Sequence, residues 1–374
     1  FTTICPECNS DAICEIGGRT STLSSVAISQ VLSSDFDHAE EKDRKILVFT
    51  NSVQDAAHQA AFYEARTFRF LFRQSMQQYI NSLDKPVNVA ELQEGFKKYW
   101  KEKLSEDDYY NRFLPADLAS HIDLRHNYRE GKGYMSSFKK EFDIRVDWEI
   151  VSEFGLTSQL GRTLEKTGSS ATFFKSEEIH KVYDLMKKFL SINQLEYVAA
   201  DEKKFCHFVY GILQRMRRHG AVDHPYLDKY RNEALTLWAL NWNFDGRHFI
   251  NRMFGGGVRF PKLIGVTYLD KNSDMLDMAA LRREKPNWYT NYFWRHFNWP
   301  IERNLTLYNE FIRELFLKME EVGLVNKAPQ GGGNYVINPN HIWVSKNVKH
   351  IKCSNCQSTL YVAKGDSLAE DTLC

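Results

Sequence analysis

The chain has almost no net charge: 49 Lys and Arg stand against 48 Asp and Glu, a formal +1. The total therefore neither favours nor excludes a nucleic-acid partner. Any basic surface must be local and offset by acidic runs such as Glu40–Asp43 and Ser105–Asp108. Long hydrophobic runs are missing as well. No stretch approaches the length needed to cross a bilayer, and the start lacks the basic and apolar regions of a signal peptide, so a cytoplasmic protein without membrane contact is expected. There is no G-x-x-x-x-G-K-[ST] phosphate loop, since the nearest candidate, Arg129–Ser137, has the wrong spacing, and no Asp-Glu-Ala-Asp or Asp-Glu-Ala-His box. On these grounds the chain does not hydrolyse ATP alone. It begins without Met, four residues before Cys5, and stops on Cys374, which reads as a segment of a longer protein.

Cysteines are few, seven in all, but four form two close pairs, Cys5 with Cys8 and Cys353 with Cys356. In a reducing compartment such pairs hold zinc more often than they form disulfides, because the tight Cys-x-x-Cys turn brings two thiolates to one metal. Two geometries are open. The four cysteines can share one tetrahedral zinc that staples the ends together, or each pair is half of a site completed elsewhere, with Cys374 as a third ligand of the second. Cys206 lies on the apolar side of a helix and reads as a core thiol.

What the chain does contain is enough for folding: 374 residues, 14% aromatic and 26% charged, sufficient for two or three domains. Its most informative stretch is Lys45–Ile80. A charged run ends in Ile46–Thr50, a short β-prone segment. Asn51 or Ser52 then offers an N-cap, and Asp55, Ala56, Ala57, Ala60 and Ala61 open a helix. Strand, polar turn and helix make the unit of a parallel α/β sheet, in which anions meet helix N-termini. Further on, FRFLFRQSMQQYI places Phe68, Phe70, Leu71, Phe72 and Met76 on an apolar side. Arg66, Arg69 and Arg73 share a helical face, which either follows a nucleic-acid backbone or is simply solvated. Arg19, beside Thr20, Ser21 and Thr22, either binds a phosphate or belongs to ordinary capping.

The later chain reads as amphipathic helices. Leu92, Phe96, Tyr99, Trp100 and Leu104 line one; Phe205, Phe208, Val209, Ile212, Leu213 and Met216 line another. The second ends in Arg215, Arg217, Arg218 and His219 before Gly220, a basic cluster that the helix dipole favours in any case and that also suits phosphates. His121, Asp123 and His126 read as surface polarity. Residues 226–300 interleave aromatics with Arg247, Arg252, Arg259 and Arg295, which serves either an aromatic core or the stacking of unpaired bases. Leu305, Tyr308, Ile312, Leu315 and Met319 face one way in a helix ended by Gly323. A short strand at Leu324–Val325, a Gly-rich tip and a strand over Tyr335–Val344 then complete a winged-helix outline.

Two phrases carry a resemblance. FTNSVQDAAHQAAFYEARTFRF, preceded by GGRTSTLSSVAISQVLSS, and EFGLTSQLGRTLEKTGSSA at Glu153–Ala171 resemble large bacterial superfamily-two DEAD/DEAH-box helicases with cysteine-bearing modules, of the DNA-repair and phage-defence kind. The likeness is close in these phrases and loose elsewhere. In that family a phrase like FTDSRQDAA touches the nucleic-acid backbone; here Val53 stands in place of Arg and Asn51 in place of Asp. The resemblance implies that Thr50, Ser52 and Gln54 hold a strand backbone, that ATP and magnesium act only in the parent protein, and that the partners are single-stranded or forked DNA and the remaining RecA-like domains. The expected layout is a zinc knuckle (1–16), the start of a second RecA-like domain (17–80), a helical insert (81–190), a helical or winged-helix-like module (191–300), a winged helix (301–350) and a partial zinc ribbon (351–374). The expected fold class is thus a partial RecA-like α/β unit followed by a mainly helical region. A zinc-stapled winged-helix binding or scaffold protein without motor activity is the alternative.

Overall fold

A computed structural model describes residues 53–114, 136–157, 163–195, 198, 200–225, 264–265, 274–275, 288–298, 305–328, 334–352 and 359–370. Its long helices are α1 (Val53–Ser82), α2 (Val89–Lys103), α3 (Glu106–Phe113), α4 (Ser136–Gly155), α5 (Ser176–Ile192), α6 (Glu202–Arg218), α7 (Trp288–Phe297) and α8 (Leu305–Glu321), and a short α9 (Ser367–Glu370) lies near the C-terminus. The strands are short: β1 (Val87–Asn88), β2 (Ala171–Phe173), β3 (Ile264–Gly265), β4 (Asp274–Met275), β5 (Val325–Lys327), β6 (Asn334–Ile337), β7 (Trp343–Ser345), β8 (Val348–Lys352) and β9 (Thr359–Ala363). They form three sheets, ordered β1-β7-β2, β4-β3-β6-β5 and β8-β9, with antiparallel neighbours except β3 and β4. The described chain is therefore mostly helical with small, mainly antiparallel sheets. The expected strand at Ile46–Thr50 lies outside the described residues.

Helix periodicity explains most of the elements. All six apolar residues expected on one side of α6 are buried, and Tyr210 and Arg217 are buried with them. This helix touches α4, α5, α7, α9 and β6, which makes it the centre of the packing. In α8, Tyr308, Ile312, Leu315 and Met319 are buried while Glu310, Arg313 and Glu321 stay exposed. Gly220 and Gly323 close α6 and α8 at φ 90° and 88°, conformations that cost a side-chain-bearing residue energy. In each case the following residue reaches back, Ala221 N–H to the Met216 carbonyl at 3.0 Å and Leu324 N–H to the Met319 carbonyl at 2.9 Å. Helix α2 starts in a capping box: the Glu91 N–H donates to Asn88 Oδ1 at 2.8 Å, and the Asn88 N–H donates to Glu91 Oε2 at 3.2 Å.

Three boundaries differ from expectation. The helix expected from Asp55 and the aromatic segment at Thr67–Ile80 are one continuous element, α1, with Phe72, Met76 and Ile80 buried. The described residues after Gly220, 221–225, run beside β6, with the Ile337 N–H donating to the Ala221 carbonyl at 2.7 Å and the Asp223 N–H to the Ile337 carbonyl at 2.8 Å. The strand expected over Tyr335–Val344 is broken. Pro339 lacks an N–H for a ladder and opens a 3₁₀ turn, Pro339–His341, capped by Asn338; beyond it β7 joins a different sheet, opposite Val87 and Thr172. One buried cluster runs from Phe72 to Ala369 and draws on each expected segment from 81 onward.

Candidate nucleic-acid interface

The first phrase enters the described structure at Val53, where α1 begins. Arg19, Thr50 and Ser52 lie outside the described residues, and so do Cys5, Cys8, Cys353, Cys356, Cys374, His121, Asp123, His126, Arg247, Arg252 and Arg259. Gln54 sits in the first turn of α1, described in its backbone. At 30 residues, α1 spans about 45 Å.

Its far half is held by charge. Arg69 and Arg73, four residues apart, face Glu149 and Glu153, also four apart on α4. Arg69 Nη1 lies 3.2 Å from Glu149 Oε2, and Arg73 Nε donates to Glu153 Oε2 at 2.8 Å. Arg145 Nη2 adds a 2.8 Å pair to Glu149 Oε1, and Glu153 Oε1 accepts the Leu164 N–H at 2.7 Å. Burial pushes the Glu149 carboxyl up, but the guanidiniums of Arg69, Arg145 and Arg73 outweigh it and hold its pKa below the ordinary value. Arg69 and Arg73, expected either to follow a nucleic-acid backbone or to be solvated, are ion-paired within the fold. Their side chains serve internal carboxylates, because leaving Glu149 and Glu153 buried without cations would cost several kcal/mol.

Arg217, expected in a basic cluster suited to phosphates, is likewise engaged within the fold. It is fully buried, and its fork grips Glu165 with Nη1–Oε2 at 2.7 Å and Nη2–Oε1 at 2.8 Å. Its Nη1 also donates to the Phe154 carbonyl and its Nε to Gln214 Oε1 at 2.9 Å, while Thr172 Oγ1 reaches Glu165 Oε2 at 3.4 Å. The second phrase, Glu153–Ala171, thus supplies both carboxylates, Glu153 to α1 and Glu165 to α6. No rule of spacing identifies such partners, although the repeated four-residue interval in Arg69/Arg73 and Glu149/Glu153 is a readable hint of two matched rungs.

Of the basic cluster at the end of α6, Arg218 is exposed, and Arg215 lies with its guanidinium carbon 5.1 Å from the centre of the Trp288 ring. In the described part of the aromatic stretch 226–300, Trp288 is exposed and Tyr292 and Trp294 are partly so, and Arg295 is exposed on the same helix. Cys206 is buried, with its thiol pushed up to about 12 by burial, which suits a core residue.

A separate cleft of about 450 Å³ opens where α5 begins, between Pro86, Phe173–Glu177, Ser345 and Ala363–Ser367. Lys175 covers the Trp343 ring there at 3.5 Å. Among the described residues no group of three or more His, Cys, Asp or Glu is placed to hold a metal, and no helix is long and apolar enough to cross a membrane. No family model, no curated protein and no solved structure matches this chain.

Proposed function

We propose that this chain is the nucleic-acid-binding segment of an ATP-dependent superfamily-two DNA helicase or translocase, whose ATP-binding motifs lie in another part of the parent protein. The observation that carries the reading is the junction of the two helicase-like phrases. Arg69, inside the first, and Arg73, just after it, are ion-paired to Glu149 and Glu153, at the threshold of the second. Phrases about a hundred residues apart in sequence act as one structural unit, as parts of one working module would.

On this reading the turn Thr50–Gln54, at the head of α1, holds the strand backbone through Thr50, Ser52 and Gln54. A helix N-terminus presents free N–H groups and a positive dipole end, which favour phosphate. ATP hydrolysis by a partner RecA-like domain, with magnesium, opens and closes the cleft, and backbone contacts keep binding independent of sequence and sensitive to salt. The ion pairs that clamp α1 to α4 keep that helix from moving on its own during the cycle.

Binding of a labelled oligo(dT) across a salt series tests this. The chain should bind with log affinity falling linearly in log salt, by about 0.7 per phosphate neutralised. Ser52→Glu should weaken binding, because it puts a carboxylate where this reading places a phosphate. Absence of any salt-sensitive binding in the unaltered chain would sink the reading.

A second reading, a zinc-stapled winged-helix binding or scaffold protein, is favoured by one observation. β8 and β9 form a hairpin paired from Val348↔Ala363 to Lys352↔Thr359, so Cys353 and Cys356 fall in its connection, residues 353–358. A Cys-x-x-Cys between two paired strands suits a zinc knuckle, because its spacing lets two thiolates meet one metal. The order α8, β5, β6 also follows helix, strand, tip, strand. Zinc analysis of the purified chain separates the metal geometries: one tightly held zinc, lost equally on Cys5→Ser and Cys353→Ser, is expected for the staple, whereas loss with only one of them points to separate sites.

A further inference from the structure

Helix α6 buries an apolar face, yet three polar side chains share one side of it, Tyr210, Gln214 and Arg217, at intervals of four and three residues. Side chains so spaced stand one above another. They are joined in a row. Arg217 Nε donates to Gln214 Oε1 at 2.9 Å, Gln214 Nε2 donates to the Tyr210 hydroxyl at 2.9 Å, and that hydroxyl donates to Asp366 Oδ2 at 2.9 Å. At the other end Arg217 grips Glu165, which also accepts from the Thr172 hydroxyl.

The row has only one direction. Arg217 can donate but not accept, so the Gln214 carbonyl must face it and the Gln214 amide nitrogen must face Tyr210. The Tyr210 oxygen receives that bond, and its own proton goes to Asp366. Burial first and the Asp366 charge second push the Tyr210 pKa well above its ordinary value, so the hydroxyl keeps this proton. Each bond thereby sets the orientation of the next, and hydrogen bonds linked in this way strengthen one another.

The two ends belong to different parts of the chain. Asp366 directly precedes α9, and its other oxygen, Oδ1, accepts the Ala369 N–H at 3.2 Å. One carboxylate therefore holds both the first turn of α9 and the Tyr210 hydroxyl. Leu368 and Ala369 seat α9 in the core, and residues 364–366 connect it to β9, whose pairing with β8 frames the connection that carries Cys353 and Cys356. Glu165 lies in the second phrase, in a turn where the Gly168 N–H donates to the Glu165 carbonyl at 3.1 Å and the Ser169 N–H to the Leu164 carbonyl at 2.9 Å.

We infer that Tyr210 and Gln214 are positioning residues that couple the seating of the C-terminal segment, β9 and α9, to the turn that carries Glu165. With α9 seated, Asp366 takes the Tyr210 proton, the row is complete and Arg217 is turned toward Glu165. With α9 displaced, the row loses its acceptor and the hold on the turn loosens. Coupling of this kind is reciprocal, so the turn also stabilises the seating of α9. The inference does not depend on what the chain binds.

Hydrogen exchange resolved by segment tests it on the whole chain. Tyr210→Phe keeps the ring against Phe174, 6.0 Å between centres, and removes only the hydroxyl. Exchange should rise about fivefold or more both at 363–370 and at 163–172, as when buried groups lose their partners, while α2 keeps its rate. Gln214→Leu, which cuts the row in the middle and leaves Asp366 on Ala369, should do the same. A rise at 363–370 alone means that Tyr210 has a local role, and an equal rise in every segment means a general loss of stability. Either result overturns the inference, as does no change at 163–172. A double-mutant cycle gives a second measure, because Tyr210 and Glu165 share no direct bond. Without the row, the effects of Tyr210→Phe and Glu165→Gln on the unfolding equilibrium constant should multiply. With it, the double variant should fall short of the product by about threefold or more, and the shortfall should vanish in a Gln214→Leu background. A simple product overturns the coupling. Thr172→Val replaces Glu165→Gln in the cycle if that variant does not fold.

Discussion

Arg217→Ala is expected to destabilise the fold by about 3–5 kcal/mol, measured as a lowered midpoint of urea unfolding. The guanidinium is fully buried and makes its bonds to Glu165, the Phe154 carbonyl and Gln214. Truncation leaves the Glu165 carboxylate in the interior with Thr172 Oγ1 at 3.4 Å as its nearest remaining partner. The loss is large because an unpaired buried charge is costly, rather than because the pair itself is strongly stabilising. A double variant, Arg217→Met with Glu165→Leu, should therefore recover most of the stability. If it is as unstable as the sum of the single variants, the desolvation argument fails and the residues act independently.

A second large effect concerns acid. His224 is buried against Trp148, with ring centres 5.2 Å apart; burial first, and the nearby charge of Lys97 second, push its pKa down to about 3. Asp147 shifts the other way. Its burial outweighs Lys97, whose Nζ lies 3.0 Å from Oδ2, and pushes its pKa up to about 6. The consequences have opposite signs. As pH falls through 6.5 the unfolded chain protonates His224 and the folded chain does not until about 3, so acid favours unfolding across that window. Asp147 takes its proton near 6 when folded but near 3.8 when unfolded, so between those values acid favours the fold.

From about pH 6 to pH 4 the two groups oppose each other, and stability should change little with pH. His224→Phe is expected to leave the Asp147 effect alone, so that stability rises on acidification by roughly 1.4 kcal/mol per pH unit. Asp147→Asn should produce the reverse slope. Below 4.5 the depressed Glu149 adds an acid-sensitive contribution, lost as pH falls through its folded pKa. Urea titrations at stepped pH check this; parallel slopes in all three proteins would refute it.

The elements were legible where the information is local. The apolar period of α2, α6 and α8 appears in the residue order because every fourth residue or so returns to the same side of a helix. Gly220 and Gly323 mark their ends because a positive φ is a property of one residue. Two further signs are equally local, Asn88 with Glu91 as a capping box and Pro339 inside the expected strand, since both are short-range chemistry. The candidate site was less legible. Its basic residues were visible, but whether each faces solvent or a carboxylate was not. Arg217 and Arg218 are adjacent in sequence, and one is buried on Glu165 while the other is exposed.

By itself the sequence determined the helical character of most of the described chain and the composition of its faces. Tertiary structure alone decided that Arg69 and Arg73 meet Glu149 and Glu153, that Arg217 belongs to the core, and that Trp288 stands at the surface beside Arg215. The physical reason is that a charge or ring takes its meaning from what lies against it. Periodicity sets which residues share a face, whereas the partner of that face, here 80 residues away for Arg73 and 52 for Arg217, is settled only when the faces pack.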